Sequence, residues 1–165
     1  MSIPSVTAGT PPAAIVTGPV RALLLRWAHE RQPRETGGLL WGRRPDTSTW
    51  RVDGVRELRD RAATPRRYRA DPREVWRYLA APMEGQGTVI GMFHTHPSAD
   101  PTPSSVDSRT MPAGFLHAIV GREDRGWSIR AFHREAPDAP VEEVRVHPDG
   151  RRVRTDRRRA AKGDR

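Results

Sequence analysis

Residues 88–107 read TVIGMFHTHPSADPTPSSVD, and this stretch determines how the rest of the chain is interpreted. The apolar run 88–93 is typical of a central strand that is covered on both faces. It leads directly into the sequence His-Thr-His-Pro. Successive side chains of a strand alternate between its two faces, so His94 and His96 are expected on the same side of the sheet, at the end of the strand.

The segment after the strand offers a third candidate metal ligand. Ser104 or Ser105 is expected to cap a short helix that carries Asp107. Two imidazoles and a carboxylate are typical of an open zinc site with water in the fourth position, whereas closed structural sites mostly use Cys. The chain has no Cys. By spacing alone, Asp100 competes with Asp107 because it lies closer to His96 in sequence.

An upstream segment, residues 33–42, reads PRETGGLLWG. It places Glu35 immediately before a short buried strand predicted over Gly37–Gly42, with residues 50–58 as the antiparallel partner. Because glycine has no side chain, the Gly37-Gly38 pair is expected to let this strand lie close to the metal-binding loop.

Together the two segments resemble the JAMM motif of the JAB/MPN metallopeptidases. That motif has a Glu before a Gly-rich strand, then His-x-His-Pro, five residues, Pro-Ser, two residues and Asp, and the chain matches every fixed position. The resemblance to compact prokaryotic JAB-domain proteins covers roughly residues 19–135. It implies one Zn²⁺ per chain, held by His94, His96 and Asp107. It also implies that Glu35 is the general base and that Ser104 donates a hydrogen bond to the developing oxyanion; a role for Ser104 as a helix cap alone is the alternative, and both roles are compatible.

The same resemblance implies a zinc-dependent hydrolase. Its substrate would be a peptide or isopeptide bond after the C-terminal Gly-Gly tail of a ubiquitin-like or sulfur-carrier protein. The chain has little length for extra substrate-gripping insertions, so a small β-grasp partner is expected, with its tail in a groove beside residues 37–42. Two alternatives are a noncatalytic MPN scaffold, although scaffolds typically lack some metal-binding residues, and a protein that binds nucleic acid or an acidic partner through its Arg-rich segments. No nucleic-acid motif supports the second as the main function.

The remaining patterns predict helices packed on a sheet. A first helix begins at Gly18-Pro19, and a second is opened by Asp71 as N-cap and Pro72. Residues 115–120 and 127–133 form a hairpin. The inward-facing helix residues are expected to be Val20, Leu23, Leu24, Trp27, Val75, Trp76 and Leu79. With the resemblance, this implies an α/β (α+β) fold of the JAB/MPN type, cytidine-deaminase-like, with a mixed, mainly antiparallel sheet flanked by helices.

Three segments are expected along the 165 residues: a flexible leader at 1–17, a JAB/MPN metallopeptidase domain at 18–148 and a basic, disordered tail at 149–165. Residues 151–165 contribute +6 of the net charge of +9, so the charge is concentrated in that tail. No stretch is long and apolar enough to cross a membrane and no secretory signal is evident, so a cytoplasmic location is expected.

Three other histidines are not expected to bind the metal. His117, on a predicted strand, is expected to be buried and hydrogen-bonded rather than a ligand, and His133 and His147 lack neighbours at ligand spacing. The family's usual Asn before the Arg-Tyr segment is not evident, and Asp60 is the nearest residue to that position.

Overall fold

The structure is a computed structural model, and it describes residues 11–62, 67–80 and 87–149. Most of the predicted leader and of the predicted basic tail therefore lie outside the described residues. The described part contains seven strands and three helices. They are β1 (Ala13–Val16), α1 (Gly18–Glu30), β2 (Gly37–Asp46), β3 (Thr49–Glu57), α2 (Pro72–Ala80), β4 (Thr88–His96), α3 (Ser105–Thr110), β5 (Leu116–Glu123), β6 (Gly126–His133) and β7 (Glu142–Pro148).

The strands form a closed barrel in the order β1-β3-β2-β4-β5-β6-β7. The pairs β1–β3, β4–β5 and β7–β1 are parallel, and the other four pairs are antiparallel. The prediction of a mixed, mainly antiparallel sheet with flanking helices is confirmed. Its closure into a barrel was not predicted, because closure depends on β1 and β7.

The flexible leader predicted over residues 1–17 is wrong for residues 13–16. These residues form β1, in which Ala13, Ala14 and Val16 are buried, and β1 pairs with β3 on one side and with β7 on the other. Alanine is a weak strand former, so the sequence gives little sign of a strand here. Two neighbouring strands supply the hydrogen bonds that compensate, and the domain therefore begins earlier than residue 18.

Helix α1 packs against the inner face of the barrel. It buries Val20, Leu24 and Ala28 in the main apolar core. Trp27 is only partly buried, and its ring stacks on Phe93 of β4 at a centroid distance of 5.8 Å. Of the α1 residues predicted to point inward, Leu23 alone is not part of this core or packed against it. The contact with Phe93 shows which face of β4, the strand that carries the two histidines, points to the core.

Helix α2 differs from the prediction in the face that it buries. Trp76 is 70% exposed and Leu79 is 41% exposed, although both were predicted to point inward. The helix instead contacts the outer face of the sheet through Val75 and Tyr78, and the Tyr78 ring meets Trp41 edge-on at 5.5 Å. Trp76 lies about 100° around the helix from Val75, so it points away from this contact.

Two apolar clusters cover the outer face and leave a cleft between them. One lies under α2 and is centred on Leu39, Trp41 and Leu58. The other, beside α3, consists of Met111, Ile119 and Phe132. The outer face of β4 runs between the two clusters. Within the described residues, no helix is both long enough and apolar enough to cross a membrane.

Candidate metal centre and active-site cleft

Strand β4 presents its two histidines side by side in the cleft. Phe93 and Thr95 are buried on the inner side, so strand alternation places His94 and His96 on the outer side. The two Nε2 atoms are 3.0 Å apart. The expected placement of both imidazoles on one side of the sheet is confirmed.

Helix α3 brings Asp107 to the same point. Ser104 is its N-cap and forms a capping box: the Asp107 N–H donates to Ser104 Oγ at 3.1 Å, and the Ser104 N–H donates to Asp107 Oδ2 at 2.7 Å. Asp107 Oδ1 lies 3.4 Å from His94 Nε2, and Oδ2 lies 3.5 Å from His96 Nε2. The predicted capping role of Ser104 is confirmed, and the cap also orients the carboxylate.

These three side chains fit a zinc ion. Their ligand atoms all lie within 4.8 Å of one another. Tetrahedral bonds of 2.0–2.1 Å would place two ligand nitrogens about 3.3 Å apart, close to the observed separation of the imidazole nitrogens. Nitrogen and carboxylate donors suit zinc, and a fourth position would remain open. The chain's own geometry therefore matches an open, three-residue site.

The alternative ligand Asp100 does not join the cluster through its side chain. Its Oδ1 accepts a hydrogen bond from the Thr102 N–H at 2.9 Å. Its backbone carbonyl instead lies 3.0 Å from His96 Nδ1. A carbonyl can only accept, so Nδ1 carries a proton, and in the neutral form of the ring this tautomer leaves the Nε2 lone pair available to a metal.

The pKa values of the cluster reflect these contacts. Burial would raise the pKa of Asp107, but hydrogen bonds to His94 and His96 hold that pKa far below its ordinary value. Burial would lower the pKa of His96, but the hydrogen bond to Asp107 and the Asp100 carbonyl outweigh it and raise this pKa. Asp107 is therefore a carboxylate at neutral pH, as a metal ligand must be.

Glu35 lies in the same cleft, immediately before β2. Its Oε2 accepts a hydrogen bond from the Tyr68 N–H at 2.9 Å, and its charge is close enough to raise the pKa of His96. Nothing in the sequence signals the contact with Tyr68, because the two residues are far apart along the chain. Within the described ranges, no protein group forms a hydrogen bond with the other carboxylate oxygen, Oε1.

The glycine pair after Glu35 allows a close approach, but the neighbours differ from those expected. A Cβ atom on Gly37 would lie 2.4 Å from the Tyr68 ring, and one on Gly38 would lie 1.8 Å from the carbonyl oxygen of Arg56. The pair therefore admits Tyr68 and the backbones of β3 and of β4 just before His94, rather than the loop that follows β4. Any side chain at position 37 would displace the ring that borders the cleft.

The cleft has a volume of about 740 Å³ and contains all five residues singled out from the sequence. Its other lining residues come from β4, α3, β5 and the segment 67–70; among them are Tyr68, Met92, Val106, Met111 and His117. Asp60 does not reach this lining. Its Oδ1 accepts hydrogen bonds from the N–H groups of Ala62 and Arg69, so it links these two positions of the chain.

His117 forms part of the deep wall of the cleft. It is 8% exposed, and burial lowers its pKa to about 4, so the ring is neutral at physiological pH. Among the residues that the structure describes, its Nε2 has no hydrogen-bond partner. The prediction of burial is confirmed, and the predicted hydrogen bonding is met on one side of the ring, by the Pro112 backbone. His133 is also buried, and its ring packs against Trp50 at 4.8 Å, away from the cluster.

Comparison with known proteins identifies the family. The family described as prokaryotic homologs of the JAB domain matches residues 17–134. The chain belongs to this family. The matched range contains Glu35, both clustered histidines, Ser104 and Asp107, while β1 and β7 lie outside it.

Individual relatives agree with the membership in this JAB family. A desampylase from Haloferax volcanii is 32% identical over 95 residues, which is 56% of this chain and 66% of the desampylase, slightly less than two thirds of that relative. A solved structure from Desulfitobacterium hafniense has a TM-score of 0.70 at 25% identity and covers 82% of this chain and 92% of its own. One from Salinibacter ruber has a TM-score of 0.55 at 24% identity, covering 81% and 92%. The fold is thus shared over nearly the whole of both solved chains.

Proposed function

We propose that this JAB protein is a zinc-dependent metallopeptidase. Its substrate would be a peptide or isopeptide bond after the Gly-Gly tail of a ubiquitin-like or sulfur-carrier protein. The observation that carries the proposal is the convergence of His94, His96 and Asp107 in one cleft with Glu35. A noncatalytic scaffold would not need this convergence. The similarity to a desampylase supports the substrate class.

The three clustered side chains would hold one zinc ion, which supplies Lewis acidity to a carbonyl oxygen and acidifies water. Glu35 would act as the general base. Its Oε2 is held by the Tyr68 N–H, so the carboxylate is fixed while Oε1 is left to accept a proton from the attacking water. The same carboxyl group would then deliver that proton to the leaving amine.

Ser104 can combine its two predicted roles. Its hydroxyl oxygen accepts the Asp107 N–H through a lone pair, and this leaves the hydroxyl proton to be donated. That proton would donate a hydrogen bond to the oxyanion that forms at the scissile carbonyl. The capping box would therefore fix both a metal ligand and an oxyanion donor.

The substrate tail would follow a different path from the groove expected beside residues 37–42. Strand β2 is paired with β3 on one edge and with β4 on the other, so the tail cannot pair with it. The segment 67–70 borders the cleft opposite α3, with Met92 between them. The tail would lie over Met92, between this segment and α3, and glycines would leave room for it beside Tyr68 and Val106.

The experiment uses a β-grasp protein from the same genome whose Gly-Gly tail carries a short C-terminal extension. Mass spectrometry of the intact substrate should show a single cut after the second glycine. Replacement of that glycine by leucine should block the cut. Cleavage of the leucine variant at the wild-type rate, or equally rapid cleavage of unrelated unfolded peptides, would indicate a general peptidase instead.

A further inference from the structure

Glu35 and its neighbour Thr36 lie just outside the regular strand ladder. The last regular pair between β2 and β4 is Gly37 with His94. One residue further, the Thr95 N–H still donates to the Thr36 carbonyl at 2.8 Å. The Thr36 N–H, however, donates to the Thr95 side chain Oγ1 at 2.9 Å, and not to a backbone carbonyl. The chain therefore leaves the ladder at a point fixed by one hydroxyl group.

This hydroxyl group belongs to the residue between the two clustered histidines. Thr95 is fully buried, and its side chain lies on the face of β4 opposite His94 and His96. Thr36 is 6% exposed. The same short segment of β4 thus presents two imidazoles to the cleft and, on its other face, holds the residue next to Glu35.

A second contact holds Thr36 from the side of β3. The Thr36 hydroxyl donates to Glu57 Oε1 at 2.6 Å, and Arg31 donates to both oxygens of Glu57 at 2.9 Å. The hydrogen bonds from Arg31 lower the pKa of Glu57, so Glu57 stays charged. Thr36 is therefore fixed through its N–H, its carbonyl and its side chain.

We propose that Thr95, acting through Thr36, is a positioning residue that sets the location of the Glu35 carboxylate relative to His94 and His96. This inference rests on the proposed function, in which Glu35 is the base. The Tyr68 N–H fixes only the end of the Glu35 side chain, whereas the Thr36–Thr95 pair fixes its backbone. A base has to lie within hydrogen-bond reach of its proton, and a displacement of about 1 Å can cost about 10²-fold in rate.

The test compares Thr95→Val, which keeps the shape and removes the hydroxyl, with Thr95→Ser, which keeps the hydroxyl. The matched control is Thr88→Val, an exposed position at the other end of β4. For Thr95→Val we expect kcat to fall about 10- to 100-fold, with KM and zinc content unchanged. Thr95→Ser should restore most of kcat, and Thr88→Val should match the wild type.

A second readout does not depend on activity. In the metal-free protein, amide hydrogen exchange measured by NMR should show the Thr36 N–H exchanging at least about 10-fold faster in Thr95→Val than in Thr95→Ser. If the wild type hydrolyses no Gly-Gly substrate, the proposed function fails, and this exchange still tests the hydrogen bond. Wild-type kcat in Thr95→Val, or a Ser variant no better than the Val variant, overturns the inference.

If Thr95→Val does not fold, Thr95→Ala replaces it. This variant also lacks the hydroxyl oxygen that accepts the Thr36 N–H. We expect its kcat to be at least about 10-fold lower than that of Thr95→Ser, with unchanged zinc content. Equal kcat in Thr95→Ala and Thr95→Ser would overturn the inference.

Discussion

The metal cluster and the proposed base are assembled in opposite ways. The cluster comes from one strand end and one short helix, within residues 94–107. Glu35 reaches the same cleft through contacts that span long stretches of chain: its neighbour Thr36 bonds Thr95, 59 positions away, and its carboxylate bonds Tyr68, 33 positions away. A local motif thus places the candidate ligands, whereas the sheet register and a few side-chain hydrogen bonds place the proposed base.

The largest expected effect comes from disrupting the metal cluster, which is assembled locally. The double variant His94→Ala/His96→Ala removes two of the three ligand side chains, so zinc content should fall from one per chain to near zero, and hydrolysis should be abolished. Elemental analysis of the purified protein measures the metal. The control is His29→Ala, at an exposed position on α1. Full zinc occupancy in the double variant would mean that the metal binds elsewhere.

A smaller effect separates the two roles of Ser104. Glycine is nearly as good an N-cap as serine, whereas alanine is poor, and neither can donate a hydrogen bond from its side chain. Ser104→Ala and Ser104→Gly should therefore lose kcat to a similar extent, by about 10²-fold, while only the alanine variant loses about 1 kcal/mol of stability. Kinetics and thermal unfolding of both proteins measure this. If activity follows stability across the two variants, Ser104 is a cap alone.

The smallest expected effect concerns the deep wall of the cleft. His117 is neutral in the folded protein, with its pKa lowered to about 4, whereas in the unfolded chain it takes up a proton below about pH 6.5. The unfolded state therefore binds more protons between these values, and the free energy of unfolding falls as pH falls through this window, by about 3 kcal/mol at most. Above pH 6.5 this contribution to stability is fully present.

His117→Leu removes this titration. Denaturant unfolding of metal-free wild type and variant from pH 7 to pH 4 should show a weaker pH dependence in the variant. At pH 7 the stability should change little, because the variant removes the buried Nε2 that lacks a partner among the described residues but also removes the hydrogen bond to the Pro112 backbone. Parallel pH profiles would show that His117 does not titrate as described.

The same contrast explains how far the sequence alone could predict this protein. The shared face of His94 and His96 follows from strand alternation, and the cap at Ser104 follows from a local pattern, so both were predictable. The Tyr68 contact with Glu35 was not, because it depends on where a loop without a periodic pattern folds back. Strand β1 was not predicted for a related reason, because its short alanine-containing sequence becomes a strand only between β3 and β7.

Helix α2 gives a further example of this limit. Its apolar residues were assigned inward by type, but Tyr78, packed against Trp41, occupies the contact, and Trp76 stays exposed. Which residues a short helix buries depends on how it is rotated on the sheet, and that rotation is set by the partner surface. The roles of the five cleft residues in catalysis remain predictions.

The most direct test of the account measures zinc and turnover on the same preparation of Glu35→Gln, with the exposed Glu30→Gln as the control. Glutamine keeps the shape of the side chain and the Tyr68 contact, but it cannot accept the proton. We expect one zinc per chain and a loss of turnover of about 10²- to 10⁴-fold for Glu35→Gln, with wild-type values for Glu30→Gln. Turnover near wild type in Glu35→Gln, or loss of its zinc, would contradict the assignment of Glu35 as a base that lies beside the metal without binding it.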